Sequence, residues 1–216
     1  WIEKYGIQRY GAFPEDMKIA FEWLNKSAFG SFTDHPMHRY QFRPYKKPEG
    51  VEDHATVHKS AEFGKAVEYF LKCIPQLINS ELYTIDAIEI TVQYLGLVAD
   101  QKLLDFLDNE TEEKSQQLNE IMELLLTMDK LLATHPNRNL KEWVDFARKW
   151  GDTEKDKNYY ESNAKRLLTT WGGDPVNDYS GRVWSGLIRD YYVPRWVTYH
   201  QDTSTDKKQN MRNWEE

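Results

Sequence analysis

The 216-residue chain carries 28 Lys and Arg against 35 Asp and Glu, a formal net charge of −7. That balance lacks the electrostatic footprint of a protein that tracks phosphate backbones, so neither nucleic acid nor an anionic membrane is an expected partner. The length suits one domain with a substantial core, and the longest mainly apolar stretches, such as 121–126 and 95–99, are far short of a membrane span.

The single cysteine, Cys73, allows no internal disulfide and no cysteine-based zinc site. The chain opens on Trp1-Ile2-Glu3-Lys4, with no initiator Met, basic region or apolar leader. We expect it to begin inside a longer protein. Eight Trp, thirteen Tyr and nine Phe make up 14% of a hydrophilic chain, so some of these rings are expected at a surface, where they offer apolar area with a polar handle.

In chain order, residues 1–30 read as two short helices broken at Gly11. Pro14-Glu15-Asp16 suits the first turn of the second; Met17, Phe21 and Leu24 follow at helical spacing, and Gly30 ends it. Residues 31–58, with Pro36, Pro44, Pro48 and Gly50, hold no period and read as one long irregular loop, a candidate contact with a neighbouring part of the protein. Ala66, Tyr69, Phe70 and Cys73 then form an apolar stripe that Pro75 stops or kinks. Residues 82–108 read as a long helix with Gly96 as its weak point.

Asn109 and Glu112 resemble a capping box. The helix after it is the clearest in the chain, with Leu118, Ile121, Met122, Leu125, Met128 and Leu132 at 3.6-residue spacing. Trp143, Phe146, Ala147 and Trp150 mark a short helix ending at Gly151. Asp152 or Thr153 caps the next, which runs to Leu168 and Trp171. Gly172-Gly173-Asp174-Pro175 forces a turn, and Asn177 or Asp178 is expected to start a further helix that Pro194 bends or ends. Val197-Thr198-Tyr199 could be extended, and the polar tail from Asp202 could fray or form a helix. The fold class is all-α: a multi-helix bundle with one long loop at about 31–58.

Few constellations rise above the background of a solvated helical surface. His54 and His58 stand four apart, but Ala55 occupies the place where the zinc-protease motif needs Glu; His35, His38, His135 and His200 have no ligand spacing. No metal and no cofactor are expected. Cys73 lies on an apolar stripe and reads as a small hydrophobe. The acids are numerous without a distinguishable catalytic pair. Residues 170–196 stand apart: a Trp ends one helix, glycines follow, and a Tyr comes close after. An indole, exposed amides and a phenol in one place suit a pyranose.

The run Trp171-Gly172, Asp178-Tyr179-Ser180, Gly186-Leu187-Ile188 and Tyr191-Tyr192-Val193-Pro194-Arg195-Trp196 resembles the C-terminal domain of glycoside hydrolase family 89, the α-N-acetylglucosaminidases. Trp1-Ile2 with Arg9-Tyr10-Gly11, Leu82 to Asp86 with Thr91, and Tyr160 to Ala164 extend the resemblance over nearly the whole chain. It implies that residues 1–216 are a single all-α domain following a (β/α)8 barrel, whose top face carries the site. Retaining hydrolysis would use two Glu of that barrel, outside this chain, leaving the helical part inactive alone. By motif position, Trp171, Val176 and Tyr179 would touch a terminal N-acetylglucosamine. The corner is one residue shorter here than is usual in that family. The implied partners are the upstream barrel and the glycan; a periplasmic, secreted or lysosomal parent would follow. The competing readings are a free-standing helical protein-interaction module and a lectin-like sugar-binding domain.

Overall fold

A computed structural model describes residues 1–27, 37–45, 60–108, 113–171 and 178–215. Among them every regular element is helical, and the only β-type pairing is an isolated bridge between Asn139 and Ser185. The expected all-α fold is the one observed. The chain divides into two compact units: residues 1–36 with 49–104, and residues 37–48 with 105–216.

The described part of the first unit comprises α1 (Ile2–Tyr10), α2 (Glu15–Lys26), α3 (Ser60–Lys72), the short α4 (Ile74–Leu77) and α5 (Glu81–Asp108) as far as residue 104. Gly11 closes α1 at φ 90°, a left-handed cap that only glycine adopts without penalty. Pro75 falls in the first turn of α4, where its missing N–H is no loss, so the stripe of α3 breaks there. Met17, Ala20, Phe21 and Leu24 of α2 meet Phe63, Ala66, Val67 and Phe70 of α3 in one core with Tyr10 and Tyr83. Cys73 is fully buried in it, and burial pushes its thiol up to about 11, as suits an inert packing residue.

Polar ties lock α5 into this core. Tyr83 Oη donates to the Phe70 carbonyl at 2.6 Å, with the two rings stacked at 5.1 Å. Asp86 accepts two bonds from the Arg9 guanidinium, both 2.6 Å, and one from Tyr10 Oη at 2.7 Å. By length and composition alone α5 could cross a membrane, but a carboxylate held by three donors on its face is the wiring of a core helix. Gly96 does not interrupt it.

The second unit holds the C-terminal end of α5, α6 (Lys114–Leu132), α7 (Leu140–Arg148), α8 (Glu154–Leu168), a π-helical turn (Ile188–Tyr192) running into α9 (Val193–Gln201), and α10 (Lys207–Glu215). All six periodic apolar residues of α6 are buried, as their spacing predicts. They pack with Leu187, Ile188, Tyr192, Val193 and Trp196, where α6 meets the π turn and α9.

Several local expectations need correcting. The helix foreseen from Asn177 or Asp178 starts near Leu187 instead, and residues 178–186 are turn and irregular chain with the isolated bridge at Ser185. Its start is capped from a distance. The buried Asp129 of α6 accepts from Gly186 N at 2.7 Å, from Arg189 N at 3.2 Å and from Ser185 Oγ at 3.3 Å, supplying the orphan donors with the acceptor a local cap would otherwise provide. Pro194 neither ends nor breaks the helix; it sits in the first turn of α9, directly after the wider π turn. Residues 197–199 are helical, and the polar tail forms α10 rather than fraying.

Of the long loop, the described segment 37–45 includes a 3-10 turn, Arg39–Gln41, and is largely buried within the second unit. Trp196 Nε1 donates to the Tyr40 carbonyl at 2.9 Å. The capping residues Asn109 and Glu112, and Gly30, lie outside the described residues.

Two predictions follow from this packing. Asp86→Ala leaves Arg9 and Tyr10 of α1 without their acceptor, and should lower stability by about 2 kcal/mol in urea unfolding. His200 is stacked on Trp196 and edged by Phe106 and Tyr199; burial, with Lys207 and Lys114 nearby, lowers its pKa from 6.5 to about 4. The unfolded chain therefore takes up this proton as pH falls through 6.5 and the folded chain only near 4. Stability should drop across that window, and His200→Gln should flatten the drop when unfolding is followed against pH.

Candidate functional site

The corner between α8 and the π turn is built from backbone constraints upward. Thr153 opens α8 with a reciprocal box: its Oγ accepts from Asp156 N at 3.2 Å, and Asp156 accepts from Thr153 N at 3.2 Å. At the other end the chain leaves the helix abruptly. Trp171 takes a left-handed conformation, φ 54°, with its N–H donated to the Arg166 carbonyl at 2.6 Å. At the far end of the corner Asp178 is also left-handed at φ 67°, with its N–H on the Thr169 carbonyl at 3.0 Å, and Ser180 Oγ donates to the Leu167 carbonyl. Such a conformation costs a non-glycine residue about 1–2 kcal/mol, so bonds back to the end of α8 must hold both ends of the corner.

Those two ends carry the exposed rings. Trp171 is 40% and Tyr179 73% exposed, with ring centroids 5.6 Å apart and planes inclined at 59°. The pair thus presents an indole face and a phenol side by side: apolar area for C–H groups, and one hydroxyl that both donates and accepts. Asp178, between them in the fold but turned the other way, is 2% exposed. Nearby, a groove of about 390 Å³ opens along the last turns of α8, where Lys165, Arg166 and Thr169 face Asp190 and Tyr191.

Beneath the corner lies a buried charge network. Arg195 of α9 is completely buried and donates to Asp178 Oδ1 at 2.6 Å, to Glu215 Oε1 at 3.1 Å, to Tyr191 Oη at 3.2 Å and to the Gln41 carbonyl at 2.6 Å. Arg43 closes the other side, reaching Glu215 Oε2 with Nε at 2.6 Å. Burial works against the charge on Arg195, but Asp178, Tyr191 and Glu215 outweigh it and hold the guanidinium protonated above its ordinary value. Burial likewise pushes the Asp178 carboxyl up, against the pull of Arg195, and raises the Tyr191 phenol. Tyr192, in the same layer, is pushed up to about 12 by burial; its hydroxyl bridges the N–H and the carbonyl of Arg182, both at 3.2 Å.

Of the residues singled out in the sequence, Trp171 and Tyr179 come together. Val176 lies outside the described residues, as do Gly172 to Asn177, His35, His54 and His58. Among the described residues no three His, Cys, Asp or Glu side chains gather as a metal ion would require. In the sequence, Asp178 reads as a possible helix start and Arg195 as part of a family motif, neither as a member of a buried network, and Glu215 does not stand out. One signal was available: Arg195 sits at i+7 from Ile188 and one residue before Trp196, on the apolar face of a helix, where a charge must be buried with partners. The partners could not be read, since Gln41 is 154 and Glu215 is 20 residues away.

Comparison with known proteins gives a consistent picture. The family described as the α-N-acetylglucosaminidase C-terminal domain matches residues 1–216. Human α-N-acetylglucosaminidase is 24% identical over 207 residues, covering 91% of this chain and 27% of its own length. A family 89 glycoside hydrolase from Clostridium perfringens, solved in complex with PUGNAc, superposes with a TM-score of 0.83 at 25% identity, over 99% of this chain and 28% of that one. The same figures hold for a doubly substituted form of the Clostridium enzyme in complex with its substrate GlcNAc-α-1,4-galactose. This chain therefore spans about a quarter of the length of these relatives.

Removing the central cation tests the network. Arg195→Met keeps most of the side-chain volume but leaves the buried Asp178 carboxylate without its partner. We expect a loss of about 3–5 kcal/mol of stability, read from urea or thermal unfolding of the chain.

Proposed function

The chain belongs to the α-N-acetylglucosaminidase C-terminal domain family, and from that premise we propose that it is the helical part of a retaining glycosidase, packed on a catalytic (β/α)8 barrel. In this reading the barrel carboxylates supply nucleophile and acid/base. Trp171 and Tyr179, with Val176 from the segment outside the described residues, line the pocket for a terminal α-linked N-acetylglucosamine. The relatives' length beyond the matched region leaves room for such a barrel.

The observation that carries the proposal is the exposed, inclined Trp171–Tyr179 pair, fixed at both ends to α8. Small polar sugars bind where a rigid aromatic surface covers their apolar C–H face and a few hydroxyls fix orientation. The nearest carboxylate in sequence, Asp178, is buried against Arg195 and unsuited to acid–base work at the corner. This agrees with catalytic carboxylates supplied from elsewhere. The groove along α8 offers donors and acceptors of both signs beside the corner, as an aglycone would use.

The outer face of α7 favours a covering neighbour. No residue of that helix is fully buried, and Phe146 and Trp150 are 58% and 69% exposed at its end. In the proposed assembly the catalytic part covers this face; in the alternative, a free-standing interaction module, a partner protein would.

Trp171→Ala in the intact enzyme tests the pocket assignment. We expect kcat/KM for an aryl α-N-acetylglucosaminide to fall about tenfold, the equivalent of roughly 1.4 kcal/mol of transition-state binding. An unchanged kcat/KM in a folded variant removes the corner from the pocket.

A further inference from the structure

We propose that Arg195 is a positioning residue for the sugar-binding pair, acting through the Asp178 carboxylate to fix where the Tyr179 ring stands; the inference rests on the pocket reading of Trp171 and Tyr179. Arg195 is fully buried and touches no surface. Its orientation does not depend on Asp178, because its second terminal nitrogen is held by the Gln41 carbonyl at 2.6 Å and its first also reaches Glu215 and Tyr191. It is a fixed anchor, and Asp178 is what it holds, at 2.6 Å.

The geometry carries that hold to the ring. Asp178 is left-handed, a region side-chain-bearing residues seldom occupy unless their surroundings impose it. Its carboxylate is drawn inward to 2% exposure, and the next side chain along, Tyr179, stands outward at 73%. Among the described residues, Asp178 Oδ2 has no hydrogen-bond partner, so the described tie runs through Oδ1 to Arg195. Remove that tie, and the backbone dihedrals at 178 are free to relax to a commoner region, turning the Tyr179 ring away from Trp171. The bonds from Asp178 N to Thr169 and from Ser180 to Leu167 keep the chain attached. The change then falls on ring orientation rather than on the fold. A ring that must be ordered on binding weakens affinity, while a pre-ordered one does not.

The experiment is a double-mutant cycle in the intact enzyme, with KM and kcat measured on an aryl α-N-acetylglucosaminide and the melting temperature recorded for each variant. D178A should raise KM about fivefold with kcat within about twofold. D178N should stay close to the parent, because its amide oxygen still accepts from Arg195 and Asn tolerates the left-handed region. In a Y179A background, D178A should change KM by less than about twofold. Equal KM effects of D178A with and without Tyr179, or no effect with Tyr179 present, would overturn the inference while leaving the pocket reading intact. If Y179A alone leaves KM unchanged, both fall. Should D178A fail to fold, D178S takes its place in the same cycle, since it removes the carboxylate while keeping a side chain that disfavours the left-handed backbone.

Discussion

A guanidinium placed in a protein interior is tolerable only if every charge it meets is complementary and nearly every donor is used. Arg195 answers most of that demand by recruiting four separate stretches of chain, Asp178 from the corner, Tyr191 from the π turn, Gln41 from the 37–45 segment and Glu215 from the last helix, with its Nε left without a partner among the described residues. Much of the second unit can be understood as the solution to that requirement. The polar tail is ordered because the Glu215 carboxylate is needed inside, while the part-exposed Trp214 stacks on Tyr191. Residues 37–45, part of a loop that looks structureless in sequence, are largely buried because the carbonyls of Tyr40 and Gln41 satisfy α9.

How much could be read in advance follows from the range of the interactions involved. Where the determinant is local, sequence reading succeeds. The apolar spacing from Leu118 to Leu132, the Thr153 cap and the break at Gly11 all appear in the structure as the pattern implies. Where the determinant is distant, it fails. Asp178 has the look of an N-cap, yet its carboxylate is claimed by an arginine 17 residues on, while the helix it would have capped is capped by Asp129, 57 residues before Gly186. The corner was legible as a pair of rings because Trp171 and Tyr179 are close in sequence; the network that holds them was not.

The chain thus joins two kinds of surface on one scaffold. At the corner a few side chains are over-determined from below and left open above, which is the condition for recognising a small polar ligand without an ordering penalty. Along α7 an apolar face stands uncovered among the described residues, although Trp143 is anchored through its Nε1 to the Ala164 carbonyl and packs on Trp184. A platform with an uncovered apolar flank is what the proposed packing against a catalytic neighbour requires.

Both ends of the corner are riveted to the same helix terminus, Trp171 to Arg166 and Asp178 to Thr169. The backbone positions of residues 171 and 178 are thereby set from α8 itself. Related chains can therefore differ in the length of the connection between these two anchors without repacking a core.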